Sequence, residues 1–323
     1  DRKGLVLIHQ NYFQHNIIEA GAHYVDFPWR TANNINQTGF PEPPPFAGDK
    51  RIFMAEQFYD TTQPQRRALH IAFIRQCLEN FRNNTGVIQL LAAEYTGPLH
   101  FAQFWVDQVA TWEASTGTHE CIGLSTTKDV QDAILADPVR AKTIDLIDIR
   151  YWYYESGGRL YAPKGGQNMA PRQHERVLKP KRPDFGAVYR SVREYRDRYP
   201  DKAVMYSAEG CDTFGWAVFM AGGSLANIPP VADPRFLRAA ATMRPIDAPA
   251  GSLVLGNPAV GYIVYGAGAL DLAPGRYRVR RIDPRSGAFT GETAKVIGGK
   301  GVRLSGDHAQ GPVDNVIFWL VKY

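Results

Sequence analysis

From residue 4 to residue 243, short apolar runs alternate with amphipathic helical stripes, and after Pro249 the helical stripes stop. Alternating strands and helices build a parallel sheet with helices outside it. Short β-type runs separated by turn residues build an antiparallel module. The change of pattern predicts two domains, residues 1–246 and residues 247–323. The expected fold class is α/β, with a small C-terminal antiparallel β-sandwich.

The first apolar run, "GLVLIH" at 4–9, reads as a strand buried on both faces. Residues 10–63 have little regular pattern and hold "PWRTANNIN" and "FPEPPPFAG". A loop this long is usually a lid or a binding loop. Pro64 then opens a helix over 64–84, with Leu69, Phe73, Ile74, Cys77, Leu78 and Phe81 on one stripe. A strand at 87–94 follows. Pro98 starts a second helix, striped by Phe101, Phe104, Trp105, Val109 and Trp112. Further strands are expected at "ECIGLSTTK", 144–154, 203–209 and "SLANIP", and Asp184 caps the helix before the 203–209 strand.

Two of these strands end alike. "LLAAEYTGP" (90–98) closes on Glu94, and "AVMYSAEGCD" (203–212) closes on Glu209. A carboxylate at the end of a buried strand is costly unless it has a partner or a task. In a (β/α)8 barrel, catalytic groups sit at the C-terminal ends of strands. The alternative, an open doubly wound sheet, usually brings a Gly-rich phosphate turn after its first strand, and none is present here. Two carboxylates so placed suit glycoside hydrolysis, in which one protonates the leaving oxygen and the other attacks the anomeric carbon or activates water. Paired separately with arginines, each would be an ordinary structural acid. Six strands are expected between 4 and 229, whereas a barrel needs eight. The first two βα units are therefore expected as an N-terminal segment, on the order of 60–100 residues, that completes the barrel.

Counted in that frame, Glu94 ends strand four and Glu209 strand seven. This resembles the large retaining clan of (β/α)8 glycoside hydrolases, with acid/base on strand four and nucleophile on strand seven. "RKGLVLIHQ" is similar to that clan's third strand. The layout, with "GRYRVRRIDPRSGAFTG" in the tail, resembles apiosidase-like hydrolases with a C-terminal collagen-binding-type β-domain. The resemblance implies Glu94 as acid/base and Glu209 as nucleophile of a retaining enzyme. It also implies that Tyr151, on strand six, supports the nucleophile. The chain departs from the clan at Ala93, where the clan has Asn, and at Asn227, where it often has Trp. A non-catalytic carbohydrate-binding protein on the same scaffold is the alternative.

The remaining expected site residues are His9, Asn11, Trp29, Arg30, Asn34, Tyr95, Tyr151 and Trp152, for substrate binding. An aromatic face can stack on a sugar ring and amides can fix hydroxyls. Each also has an ordinary reading as core or loop packing. His9, His15 and His23 lack the spacing of a metal site, and Cys77, Cys121 and Cys211 show neither metal nor disulfide spacing. No cofactor and no metal are expected. The net charge of +5 is spread along the chain, which argues against a nucleic-acid partner. No apolar run is long enough to span a membrane. The expected partner is a carbohydrate substrate, and the expected setting is secreted or periplasmic.

Overall fold

The computed structural model describes residues 3–14, 17, 27–42, 53–248, 252–304 and 316–323. It divides into two compact units, one of residues 1–183 and 200–209, the other of residues 184–199 and 210–323. The second unit thus takes in more of the chain than the β-rich tail from residue 247.

The first unit is built on a five-stranded parallel sheet in the order β1-β2-β3-β4-β7. Its strands are β1 (Leu7–Phe13), β2 (Val87–Ala93), β3 (Cys121–Leu124), β4 (Leu146–Ile149) and β7 (Ala203–Tyr206). The register runs Leu7 to Val87, Ile88 to Cys121, Gly123 to Leu146 and Ile147 to Val204. Among the described residues β1 and β7 are the sheet's two edges. Helix α2 (Pro64–Glu79) opens at its proline as expected, α3 (Leu99–Thr116) follows Pro98, and α4 (Lys128–Ala136) follows β3. The expected stripe of α3 is buried throughout. Ile88, Leu90, Leu146 and Met205 pack together on the sheet.

Four expectations need correction. The strand at 4–9 is not buried on both faces: β1 starts later, and Leu5, Val6, Leu7 and Ile8 are exposed because only β2 pairs with it among the described residues. The run at 144–154 is not one strand. It splits into β4 and β5 (Tyr153–Tyr154), which pairs antiparallel with β6 (Leu160–Tyr161). "SLANIP" forms no strand, and its residues 225–229 are irregular. The stretch 10–63, read as patternless, holds helix α1 (Phe53–Tyr59).

In the second unit, helix α6 (Phe185–Arg198) is capped by Asp184, whose carboxylate accepts from the Ala187 amide at 2.8 Å. Its main sheet has six strands, β8 (Arg244–Ile246), β9 (Leu253–Asn257), β10 (Gly261–Tyr265), β12 (Arg276–Ile282), β13 (Phe289–Ile297) and β15 (Ile317–Lys322), all paired antiparallel in the order β13-β12-β15-β10-β9-β8. Alternate residues of β15 (Ile317–Lys322) go to opposite faces. Ile317 and Trp319 pack with Trp216, Phe219 and Phe236 of helices α7 (Gly215–Met220) and α8 (Arg235–Ala240). Phe318 and Leu320 pack with Leu270 and Leu304, beside a two-stranded ribbon, β11 (Ala269–Leu270) with β14 (Val302–Arg303). One sheet is therefore covered by helices on one face and a ribbon on the other. Two full facing sheets are not found among the described residues.

Candidate active site

The C-terminal ends of β2, β4 and β7 bring Glu94, Tyr151 and Glu209 to one pocket of about 260 Å³. Glu94 follows the last residue of β2 and holds φ at +56°. That is left-handed backbone, which costs a residue with a Cβ roughly 1–2 kcal/mol. Strain of this kind persists where the surroundings over-determine it, and it clusters at functional sites. Here Gln14, just past β1, secures the turn after Glu94. Its side chain donates to the Thr96 hydroxyl at 2.8 Å and accepts from the Thr96 amide at 2.9 Å. The Tyr59 hydroxyl donates to the same Gln14 oxygen, and Thr96 donates to the Met169 carbonyl.

Glu209 lies three residues past the end of β7, farther than expected for a strand-closing residue, and is exposed. Its carboxylate is 3.3 Å from the guanidinium of Arg182, a pair open to solvent and so strongly screened. The Tyr206 hydroxyl donates to the Glu209 carbonyl at 2.8 Å and tightens the turn. Below it, Asp148 of β4 is fully buried between Ser207 and Ser125, which donate to its two oxygens at 2.6 and 2.7 Å. Burial pushes the Asp148 carboxyl upward, against the pull of those two bonds.

Tyr151 is buried, and its hydroxyl faces the Glu94 backbone amide without a hydrogen-bond partner among the described residues. Burial raises its ionisation well above the usual phenol range. Tyr153 and Tyr161 line the same pocket with ring centroids 5.1 Å apart. Tyr153 is pushed up to about 12, by burial first and then by Glu209, Glu175 and Glu155. Arg172 and Glu175, from helix α5 (Pro171–Leu178), complete one rim. Arg150 lines the pocket beside Tyr151.

The other expected site residues are elsewhere. His9 does not end its strand. Its Nδ1 is 2.7 Å from the Gln89 amide oxygen, and its ring packs on Phe81. Asn11 bonds to the same Gln89 and accepts from the Trp105 indole at 2.8 Å, which binds the sheet to α3. Trp29 stacks on His70 within a cluster with Tyr12, Phe58 and Phe73. Arg30 pairs with Glu42, and Asn34 bonds the Pro28 carbonyl. Tyr95 is core, its hydroxyl donating to the Pro98 carbonyl at 2.7 Å. Trp152 is fully buried, with its indole on Gln131 and Lys128 over its ring. None of these seven residues lines the pocket, and His9, Asn11, Arg30, Asn34, Tyr95 and Trp152 bond to other protein groups where they lie. His15 and His23 lie outside the described residues. Among the described residues, no group of three or more His, Cys, Asp or Glu is placed to hold a metal ion.

Arg150, Tyr153, Tyr161, Arg172 and Glu175 were not anticipated. Arg150 had a signal: it stands one residue before Tyr151, at the mouth of a strand. Arg172 and Glu175 lie in a Gly-, Lys- and Pro-rich stretch whose local sequence gives no hint of a helix end at a pocket.

The chain belongs to the family described as a domain of unknown function, DUF6298, which matches residues 1–243. Among curated proteins, none matches it in sequence. A solved structure described as a glycoside hydrolase is similar at 11% identity and a TM-score of 0.41, over 78% of this chain and 68% of that one. A glycoside hydrolase family 5 protein from Bacteroides vulgatus ATCC 8482 is similar at 9% identity and a TM-score of 0.48, over 78% of this chain and 66% of that one. The chain thus spans about two thirds of the length of each.

Proposed function

We propose that this protein is a retaining glycoside hydrolase acting on an oligosaccharide or polysaccharide, with Glu94 as acid/base and Glu209 as nucleophile. The observation that supports it most is the convergence of the two glutamates, 115 positions apart in sequence (209 less 94), on one pocket at the C-terminal ends of parallel strands. On this reading the five-stranded sheet is part of a (β/α)8 barrel, β2 and β7 holding places four and seven.

The chemistry asks the two carboxyl groups to play different roles. Protonated Glu94 gives its proton to the glycosidic oxygen as the Glu209 carboxylate attacks the anomeric carbon. The C–O bond to the leaving group breaks and a glycosyl ester forms. Ionised Glu94 then takes a proton from water, which attacks the same carbon and frees Glu209. No cofactor enters these steps. Tyr153 and Tyr161 offer faces for a sugar ring. Action on polysaccharide would place the protein in a secreted or periplasmic setting.

The test is a pair of variants assayed on aryl glycosides and glycan oligomers. Glu209→Ala should lose nearly all turnover and regain it with azide, yielding a glycosyl azide. Glu94→Gln should spare substrates with good leaving groups, which need no proton. Wild-type activity in both variants would overturn the assignment. The position of Glu209, exposed and paired with Arg182, favours one rival: glycan binding without catalysis. That rival predicts calorimetric binding of sugars with no turnover of any.

A further inference from the structure

Arg150 directly follows β4 and lines the pocket, half-buried. It makes no hydrogen bond or ion pair among the described residues. Two other half-buried arginines behave differently: Arg140 grips Asp107 and Asp137, and Arg280 grips Asp233. Asp148 is the carboxylate nearest in sequence on the same strand, but Ser125 and Ser207 bond both its oxygens. A guanidinium offers five donors in a planar fork that fits the oxygens of a carboxylate or sulfate. The guanidinium carbon lies 5.8 Å from the centroid of the Tyr151 ring, whose buried hydroxyl is itself unbonded. Two polar groups on adjacent residues therefore line one pocket without protein acceptors.

The placement of the charges singles out Arg150. The pocket holds Glu94, Glu175 and Glu209 with Arg150 and Arg172, and Arg182 pairs with Glu209 from outside the lining. With that pair set aside, Arg150 and Arg172 stand with Glu94 and Glu175. Arg172 and Glu175 are both exposed on the rim, on α5, which leaves Arg150 as the half-buried cation of the lining.

We propose that, given the glycoside hydrolase reading of this pocket, its substrate is an anionic glycan whose carboxylate or sulfate is bound by Arg150, with the Tyr151 hydroxyl donating alongside. A half-buried charge-assisted bond of this type changes selectivity by about tenfold or more. The experiment compares matched substrates: oligogalacturonates and glucuronoxylan fragments against their carboxyl-reduced forms, and sulfated galactan fragments against desulfated ones. Wild type should favour one acidic form over its neutral match by about tenfold or more in kcat/KM. The pair that separates names the anion. Arg150→Gln should collapse that ratio, and added salt should shrink it in the wild type. Affinities measured calorimetrically on Glu94→Gln give the same acid-to-neutral comparison with Arg150 intact, so a misfolded Arg150 variant leaves the question decidable. Equal turnover of acidic and neutral forms, or a ratio unchanged in Arg150→Gln, overturns the anion site while leaving the hydrolase reading standing. Selective binding of an acidic glycan with no turnover of any glycan supports the anion site and sinks the hydrolase reading.

Discussion

The buried hydroxyl of Tyr151 faces the backbone amide of Glu94, the residue that leaves β2 in left-handed backbone, and completes no hydrogen bond there. Because burial raises its ionisation, this hydroxyl stays protonated and available as a donor throughout the neutral range. Removing an unbonded buried hydroxyl relieves a desolvation penalty of about 1–3 kcal/mol. Tyr151→Phe should therefore leave thermal stability unchanged or raised, while turnover of the true substrate falls by about tenfold. Loss of stability with turnover intact would mean that the hydroxyl serves the fold and not the pocket.

His70 on α2 is held neutral by its neighbours. Its Nδ1 accepts from the Tyr12 hydroxyl at 3.0 Å and its Nε2 donates to the Phe58 carbonyl at 3.0 Å. Burial pulls its pKa to about 4, the Phe58 bond opposes this, and the Arg66 charge adds to it. In the unfolded chain the ring takes a proton near pH 6.5, while in the folded protein it resists until about pH 4. The stabilising contribution is therefore present above pH 6.5 and lost as pH falls towards 4, reaching about 3 kcal/mol. Urea midpoints for the wild type should fall across that window. His70→Gln, which cannot titrate, should flatten the slope, and an unchanged slope would remove His70 as its cause.

His119 has the opposite sign. It lies between Glu113, at 2.9 Å, and Asp145, at 3.2 Å. Burial pulls its pKa down, but the two carboxylates outweigh this and raise it. Its contribution is full below pH 6.5 and fades as pH rises through the raised value. The ring is largely exposed, so the effect is small and screened by salt. Melting temperatures of wild type and His119→Gln should converge on going from pH 6 to pH 8. Divergence over that range would reverse the assignment.

The alternation of strands and helices was legible because it depends on local period: Pro64 and Pro98 mark helix starts, and Asp184 marks a cap. Glu94 and Glu209 were legible as carboxylates ending apolar runs. Four of the expected binding residues that lie off this pocket share a cause. His9, Asn11, Tyr95 and Trp152 sit close to strand ends or within strands, and a sequence does not say which face of a twisted strand a side chain takes. His9 and Asn11 turn to Gln89 and Trp105, and Trp152 turns to Gln131 while Tyr151 and Tyr153 on either side of it line the pocket. A one-residue shift reverses the face. Arg172 and Glu175 were illegible because a distant helix brings them to the pocket.

The sheet beneath the pocket contains a glycine whose missing side chain matters. Gly123 of β3 lies between β2 and β4, and a Cβ there would collide with Leu90 and press on Ile88 (3.2 Å) and Leu146 (3.3 Å). Overpacking a tight core costs about 1–3 kcal/mol. Leu90 lies four residues before Glu94 on β2, and Leu146 four before Arg150 on β4, so a displaced side chain here also shifts the strand ends that form the pocket. Gly123→Ala should lower stability by that amount and reduce turnover. Leu90→Ala alone should also destabilise, by opening a cavity. Together the two changes should cost less than their sum, because the new methyl occupies the space that Leu90 vacates, giving a coupling of about 0.5–3 kcal/mol in a double-mutant cycle. Strict additivity would show that Leu90 and position 123 do not meet, and that the absence of a side chain there does not set the spacing of β2 and β4.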